Sequence, residues 1–304
     1  MINKKLLLLF SVSFLLVILG LIASRNSSKF TSTALKSHVI YNSVSTRPAH
    51  PNLFFDEQTF NDGVTQTKKT SSISTYHITG GIIPHHLFPG FILTDFFHRL
   101  SVQEPRTIIL IGPNHYEKGS FRVLTSLYSW DTPFGKVDPQ DSIINDLVNV
   151  GVVRVDEGVL PNDHAVAGMM PFIKYYLPNT KVVPILISGH TTQKETEVLA
   201  SILKSFMGKD TVLVAPVDFS HYLTNEQAGE KDKVTLEVIK NYDYRQLFTL
   251  NNDYVDSPPS IATLLMVMKM LGTTKMDLLH HTNSGELQKD NYIETTSYFS
   301  IIYY

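Results

Sequence analysis

The stretch Ile108-Ile-Leu-Ile-Gly-Pro-Asn-His115 predicts both the fold and the place of function. Its apolar residues predict a short strand that is buried on both faces, and the Pro-containing turn that follows carries an imidazole. The same pattern recurs in Gly80-Gly-Ile-Ile-Pro-His-His86 and in Val212-Leu-Val-Ala-Pro-Val-Asp-Phe-Ser-His221. Because ligands of open α/β sheets bind beyond the carboxyl ends of the strands, we expect these turns to bring histidines together there.

Strand-like and helix-like segments alternate from residue 76 onward. Continuous apolar runs predict strands, as over residues 181–187, and apolar residues at helical spacing predict helices, as over residues 165–176 and 193–206. The alternation predicts a single α/β domain over residues 76–304, with a mainly parallel or mixed central sheet flanked by helices.

Residues 1–24 have the composition of a membrane-targeting segment. Two lysines precede an apolar run from Leu6 to Ala23, and a helix of these 18 residues nearly spans a hydrocarbon core of about 30 Å. We predict an uncleaved N-terminal membrane helix that acts as a signal anchor, with a cleaved signal peptide as the alternative. Since the lysines keep the N-terminus in the cytoplasm, we expect the domain outside the cytoplasm, anchored to the membrane or secreted after cleavage.

Residues 25–75 are rich in Ser, Thr and Asn and show no sustained periodicity. This composition predicts a tether with a short pre-domain segment. Within it, Phe54, Phe55 and Phe60 are expected to dock onto the domain.

The charge and the cysteine content exclude several classes of function. A net charge of −2 argues against nucleic acid as a partner, because such partners require a basic face. The chain has no cysteine, which excludes disulfides, thiolate nucleophiles and Cys-ligated metal sites. Any metal must therefore be held by histidine or by oxygen ligands.

The histidine turns predict a metal site built from His85, His115 and His221. Imidazoles hold zinc, iron or copper, and two histidines with a carboxylate suit Fe(II). Asp218 lies three residues before His221, so it is expected either to bind the metal or to fix an imidazole tautomer. His86 is not expected to be a ligand, because adjacent side chains diverge.

His164 is the candidate proton-transfer group. It lies in Pro161-Asn-Asp-His-Ala165, at a predicted helix start, where the helix dipole disfavours an imidazolium. A neutral His164 suits a base beside the metal, and Asp163 is expected to orient it.

Several of these turns resemble the Memo-like family, whose bacterial and archaeal members are named AmmeMemoRadiSam system protein B. The matching motifs follow the family's order, and they are Ile83-Pro-His85, Leu110-Ile-Gly-Pro-Asn-His115, Trp130-Asp-Thr-Pro-Phe-Gly135, Asp163-His164 with Met170-Pro-Phe172, Val183-Pro-Ile185 and Asp218-Phe-Ser-His221. The resemblance covers about residues 76–304. It implies a fold similar to class III extradiol ring-cleavage dioxygenases, whose non-haem iron is held by histidine and a carboxylate. It also implies that His85, His115 and His221 are the site histidines and that Asp218 is the site aspartate.

The chain departs from the family where some members carry a site cysteine. It has Tyr254-Val-Asp256-Ser257 there, so the resemblance offers Asp256 or Ser257 as a substitute. The segment after the first histidine, His85-His-Leu-Phe-Pro-Gly90, is altered as well, which implies a different substrate pocket.

We therefore predict a metal-dependent oxidoreductase of dioxygenase type that acts on a small molecule. His85, His115 and His221 are the predicted metal ligands, His164 and Asp218 are the predicted catalytic residues, and the divalent metal is iron in preference to copper or zinc. One alternative is a non-catalytic module that binds a ligand or peptide in the same cleft, and another is a zinc hydrolase. The expected partners are a small molecule or peptide and, through the N-terminal helix, a membrane.

Overall fold

The alternation of strands and helices is present in the computed structural model, which describes residues 47–70 and 76–304. Arg47 to Tyr304 form one unit, an α/β domain. Its mixed central sheet is as the sequence predicts, whereas the predicted domain begins only at residue 76. The predicted N-terminal membrane helix lies outside the described residues. Of the helices that are described, none is long and apolar enough to cross a membrane.

The strands are mostly short, and those at the centre of the sheet are buried along their whole length or nearly so. In chain order they are β1 (Ala49–His50), β2 (Gly80–Ile83), β3 (Thr107–Pro113), β4 (Val123–Thr125), β5 (Ser129–Trp130), β6 (Arg154–Val155), β7 (Lys181–Ile187), β8 (Thr211–Pro216), β9 (His221–Leu223), β10 (Met276–Asn283) and β11 (Thr295–Tyr303).

The helices alternate with these strands, and several begin at side chains that cap them. They are α1 (Glu57–Thr70), α2 (Gly90–Ser101), α3 (Asp141–Asn149), α4 (His164–Ala167), α5 (Met170–Tyr176), α6 (Gln193–Lys204), α7 (Asn225–Asn241), α8 (Tyr244–Leu247), α9 (Pro258–Leu271) and α10 (Ser284–Gln288). Thr192 and Thr224 form capping boxes at α6 and α7, which satisfy backbone N–H groups that the first helical turn leaves free.

Parallel strands occupy the centre of the sheet. In the described residues the order is β10-β11-β2-β8-β3-β7-β4-β6, and β9 pairs with the start of β11. Strands β2, β8, β3 and β7 are mutually parallel, whereas β11 and β4 are antiparallel to their central neighbours. The carboxyl ends of β2, β3 and β8 therefore lie at one edge of the sheet.

Helices cover both faces of the sheet, which explains why its central strands are apolar throughout. In β3, Ile109 and Ile111 face the side covered by α3, α6, α7 and α9, while Ile108 and Leu110 face the side covered by α1, α2, α4 and α5. Successive side chains of a strand point to opposite faces, so a strand between two helical layers needs apolar residues at every position.

Residues 47–70, which the sequence places in the tether and pre-domain segment, pack onto the domain. Strand β1 pairs with β5, and Phe60 is buried against Phe172. Helix α1 crosses the start of α2 so closely that a Cβ on Gly63 would lie 2.8 Å from the backbone of Gly90. We call residues 47–56 the N-terminal arm, because they lead from the edge of the described chain to α1.

The prediction of one helix over residues 165–176 is wrong in one respect, because the segment forms two helices. Helix α4 ends at Ala167 and α5 begins at Met170. Pro171 lies in the first turn of α5. Since proline has no backbone N–H to donate into the preceding turn, a continuous helix is broken at this point.

Candidate metal centre

Two of the three predicted histidine turns, those of His85 and His115, meet at the carboxyl edge of the sheet, and His164 joins them there. His85 follows β2, His115 follows β3, and His164 opens α4 after a 3-10 turn over Leu160–Asn162. Among the described residues, these histidines form a group whose potential ligand atoms all lie within 4.8 Å of one another. His85 is buried and His115 and His164 are partly buried, and three imidazoles this close together could hold a metal ion.

Asp163 fixes the orientation of His115. Its Oδ1 accepts a hydrogen bond from His115 Nδ1 at 2.8 Å, and its Oδ2 accepts one from the backbone N–H of His115, also at 2.8 Å. Asp163 is fully buried. Because Nδ1 carries the donated proton, Nε2 of His115 points away from Asp163 and into the cluster, as is usual for metal-binding imidazoles. The sequence assigns Asp163 to His164 instead, and the structure corrects that assignment.

A carbonyl group fixes the orientation of His85 in the same way. His85 Nδ1 lies 3.2 Å from the carbonyl oxygen of Pro216, which can only accept a hydrogen bond. Nδ1 must therefore be protonated, and Nε2 faces carboxylates, with Asp256 Oδ2 at 3.3 Å and Asp218 Oδ2 at 3.5 Å.

His164 completes the group from the other side. Its ring stacks on that of His115 with centroids 4.3 Å apart, and it meets the ring of His85 edge-on at 4.8 Å. Phe54 of the N-terminal arm lies against it, with ring centroids 5.9 Å apart. The arm thus provides an apolar wall beside the histidines.

Burial and nearby carboxylates give these histidines different charges at neutral pH. Burial lowers the pKa of His85 to about 4, although Asp256 opposes this effect. Burial and the neighbouring imidazoles likewise lower the pKa of His164 to about 4. For His115, burial also acts downward, but Asp163 and Asp256 outweigh it and raise the pKa to about 10. At pH 7, His115 is therefore a cation between two neutral imidazoles.

Asp256 is the residue near the cluster that reasoning from strand-end turns misses. It lies in the loop before α9, and its Oδ2 is 3.3 Å from His85 Nε2 and 3.7 Å from His115 Nε2. The second distance is too long for a hydrogen bond, so its effect on His115 is that of a nearby charge. The lone pair of His85 Nε2 faces this carboxylate, an arrangement that is unfavourable unless a cation lies between them.

The separations between these groups fit a metal ion. Metal–nitrogen and metal–oxygen bonds of about 2.0–2.2 Å at angles between 90° and 109° place neighbouring ligand atoms about 2.8–3.6 Å apart. The distances from Asp256 Oδ2 to His85 Nε2 and His115 Nε2 are close to that range. The donors present therefore fit a divalent cation.

Asp218 and His221 occupy different positions relative to the cluster. Asp218 is buried beside the cluster, and its Oδ1 accepts a hydrogen bond from the backbone N–H of His85 at 3.1 Å. Burial raises the pKa of Asp218, while His221 and His86 act in the opposite direction. His221 lies outside the group of His85, His115 and His164, because it opens β9 and pairs with Thr296.

His86 points away from the cluster, as expected from its place next to His85. Its Nδ1 lies 2.8 Å from the hydroxyl of Tyr298, and the side chain is exposed. The hydroxyl is buried, so the pair holds the turn after β2 against β11.

Comparison with known proteins finds the same family in a family model and in similar proteins. A family model described as Memo-like protein matches residues 56–302. A MEMO1 family protein of Sulfolobus acidocaldarius is 30% identical over 219 residues, which cover 69% of this chain and 77% of that protein. A MEMO1 family protein of Sulfurisphaera tokodaii is 29% identical over 221 residues, with the same two coverages of 69% and 77%. The crystal structure of an uncharacterized protein from Escherichia coli K12 superimposes with a TM-score of 0.51 at 13% identity, covering 73% of this chain and 99% of that one, which indicates a shared fold.

Proposed function

The chain belongs to the Memo-like protein family, and from that premise we propose that its histidine centre binds a divalent metal ion, iron in preference to copper or zinc, and serves an oxidoreductase acting on a small molecule. One observation carries the proposal. His85 and His115 each use Nδ1 for a hydrogen bond to an oxygen acceptor, so both present Nε2 to one buried point. Fixed imidazoles of this kind are the usual protein ligands of iron and zinc.

His85 and His115 are the residues that would hold the metal in this proposal. A bound iron would supply the redox centre of the reaction. The protein's own contribution is to fix the ligands. Asp163 does this by hydrogen-bonding to Nδ1 of His115, and the Pro216 carbonyl does it by hydrogen-bonding to Nδ1 of His85.

His164 is proposed to handle a proton of the substrate. Its low pKa keeps the ring neutral at pH 7, so one ring nitrogen has a lone pair that can accept a hydrogen bond from a substrate hydroxyl. Its stacking on His115 holds it next to the place where a substrate would meet the metal. Phe54 covers part of this ring and would exclude water on that side.

Metal analysis of the purified full-length chain, together with O₂ uptake in the presence of catechols, tests this proposal. We expect bound iron after reconstitution, and we expect His115→Ala to lose it. The matched variant His164→Gln should keep the metal and lose turnover. A wild-type protein that holds no metal after reconstitution overturns the proposal. Zinc retained with hydrolysis and no O₂ uptake would replace it with a zinc hydrolase.

The same variant, His164→Gln, distinguishes the oxidoreductase from the alternative of a non-catalytic binding module. If a ligand binds the cleft without turnover and His164→Gln leaves its affinity unchanged, the oxidoreductase proposal fails. A turnover that His164→Gln abolishes supports the oxidoreductase.

A further inference from the structure

Four exposed aromatic side chains lie at the carboxyl edge of the sheet, the same edge that carries the histidine centre. They come from four different connections, and they are Phe88 after β2, Tyr116 after β3, Tyr222 in β9 and Tyr292 before β11. Tyr292 is at this edge because β11 is antiparallel to β2, so the first residues of β11 extend past the carboxyl end of β2. Strand β9 is there because it pairs with the start of β11. We call these four residues the aromatic rim.

The other exposed aromatic side chains of the described residues pack against further tyrosine or phenylalanine rings. Tyr76 stacks on Tyr304 with ring centroids 4.0 Å apart, and Phe134 lies 5.1 Å from Tyr175. Among the described residues, the rim rings contact no aromatic ring except a histidine of the same turn. Most of the aromatic surface of the rim is therefore in contact with solvent.

Backbone strain holds one member of the rim in this exposed position. Tyr222 has a φ of +60°, which is unfavourable for a residue with a Cβ. Its side chain is 71% exposed, so packing within the described chain offsets little of that strain. A contact of the ring outside the chain would account for it, because strained backbone concentrates at positions that bind something.

The charges beside the rim are balanced. Glu117 and Lys118 follow Tyr116, while Lys289 and Asp290 precede Tyr292, and all four are exposed. Each pair has no net charge, so the rim favours neither a strongly acidic nor a strongly basic partner. Rings with an apolar body and a polar tip suit the boundary between lipid and water.

The sequence provides a reason for the rim to meet lipid. The apolar run of residues 6–23, which lies outside the described residues, has the composition of a membrane anchor. Only residues 24–46 separate it from the N-terminal arm, and 23 residues span at most about 80 Å. Because such an anchor would make contact between rim and bilayer intramolecular, a small aromatic surface suffices for it.

We propose that the aromatic rim inserts into the interface of a lipid bilayer, so that the carboxyl edge of the sheet faces the membrane. The partner of this surface is the bilayer itself. The inference goes beyond the proposed function and is independent of the metal that the histidine centre holds.

Fluorescence quenching in phosphatidylcholine vesicles that contain the full-length chain tests the proposal. Because the natural chain has no cysteine, Tyr116→Cys and Tyr222→Cys each introduce a single site for a nitrobenzoxadiazole label. We expect both labels to lose most of their fluorescence when the vesicles contain lipids that are spin-labelled near the headgroup. Val102→Cys is the matched control, since Val102 is 56% exposed and Tyr116 57%, but Val102 follows α2 at the opposite edge of the sheet. Its label should keep its fluorescence.

The result that overturns the proposal is equal quenching at the rim and at residue 102, or no quenching at the rim. A chain that does not associate with the vesicles overturns it as well. Rim labels that stay unquenched while the chain elutes as a dimer would assign the rim to a second copy of this chain. Should one rim variant fail to fold, as judged by circular dichroism, the other decides. Lipid quenching requires no metal, so none of these results bears on the test of the proposed function.

Discussion

Metal binding to this cluster should release one proton, and that proton comes from His115. Its pKa of about 10 means that almost every molecule carries the proton at pH 7. His85 and His164, with pKa values of about 4, have none to release at that pH. A metal must therefore compete with a single proton for Nε2 of His115.

The size of this competition follows from the pKa of His115. At pH 7, three pH units below the pKa of about 10, protonation of His115 weakens metal binding by about 1,000-fold, or about 4 kcal/mol. Since the protonated form dominates at every pH below about 10, the apparent affinity should rise about tenfold for each unit of pH from 6.5 to 8.5. Calorimetric titration with Co(II) in two buffers of different ionisation enthalpy should give about one proton released per metal bound.

Asp163→Asn is the informative variant for this prediction. It removes the charge that hydrogen-bonds Nδ1, so the pKa of His115 should fall and the pH dependence should flatten at the upper end of the range. An affinity that does not change between pH 6.5 and 8.5 in the wild type would refute the reasoning, because His115 would then be neutral before the metal arrives.

Three further predictions concern stability, measured by urea denaturation. Phe60→Ala should lower the free energy of unfolding by about 3–5 kcal/mol, because its ring is buried against Phe172; a loss under about 1 kcal/mol would mean that α1 is not part of the cooperative unit. Tyr222→Gly should raise the free energy of unfolding by about 1 kcal/mol, because Tyr222 has a φ of +60°. Tyr222→Ala is the control, because it keeps the strained backbone. Arg47→Ala should lower the free energy of unfolding by less than about 1 kcal/mol despite its paired contacts to Asp141, because the two side chains are 32% and 39% exposed. A larger loss would show that the ion pair is effectively buried.

Much of the fold could be predicted from the chain because its central strands obey a simple rule. Continuous apolar runs bounded by Pro-containing turns give strands buried on both faces, and β7 has the predicted bounds of Lys181–Ile187. The N-terminal arm could not be predicted in this way, since its attachment depends on single long-range contacts. His50, for example, bonds Ser126 and Glu157, which are distant in sequence. The run of Phe54, Phe55 and Phe60 was the available indication of packing.

The candidate site was predictable where it follows the ends of strands. His85 and His115 are there because parallel strands end at one edge, and that topology can be inferred from the alternating pattern. Asp256 follows no strand, so only the family resemblance pointed to its segment, and it left Ser257 as an equal alternative. The role of His221 as a ligand stays a prediction, and its place in β9 arises from pairing with β11, which no local pattern reveals.

The position of β11 has a consequence for the order in which this protein matures. Strand β2, which leads to His85, pairs with β11 on one side and with β8 on the other. During translation, the turn that carries His85 is made some 200 residues before its second neighbouring strand, Thr295–Tyr303, leaves the ribosome. We therefore expect a nascent chain to lack a fixed His85 until β11 has been added. Metal acquisition would then be a late event, and it would mark the chains that have finished folding.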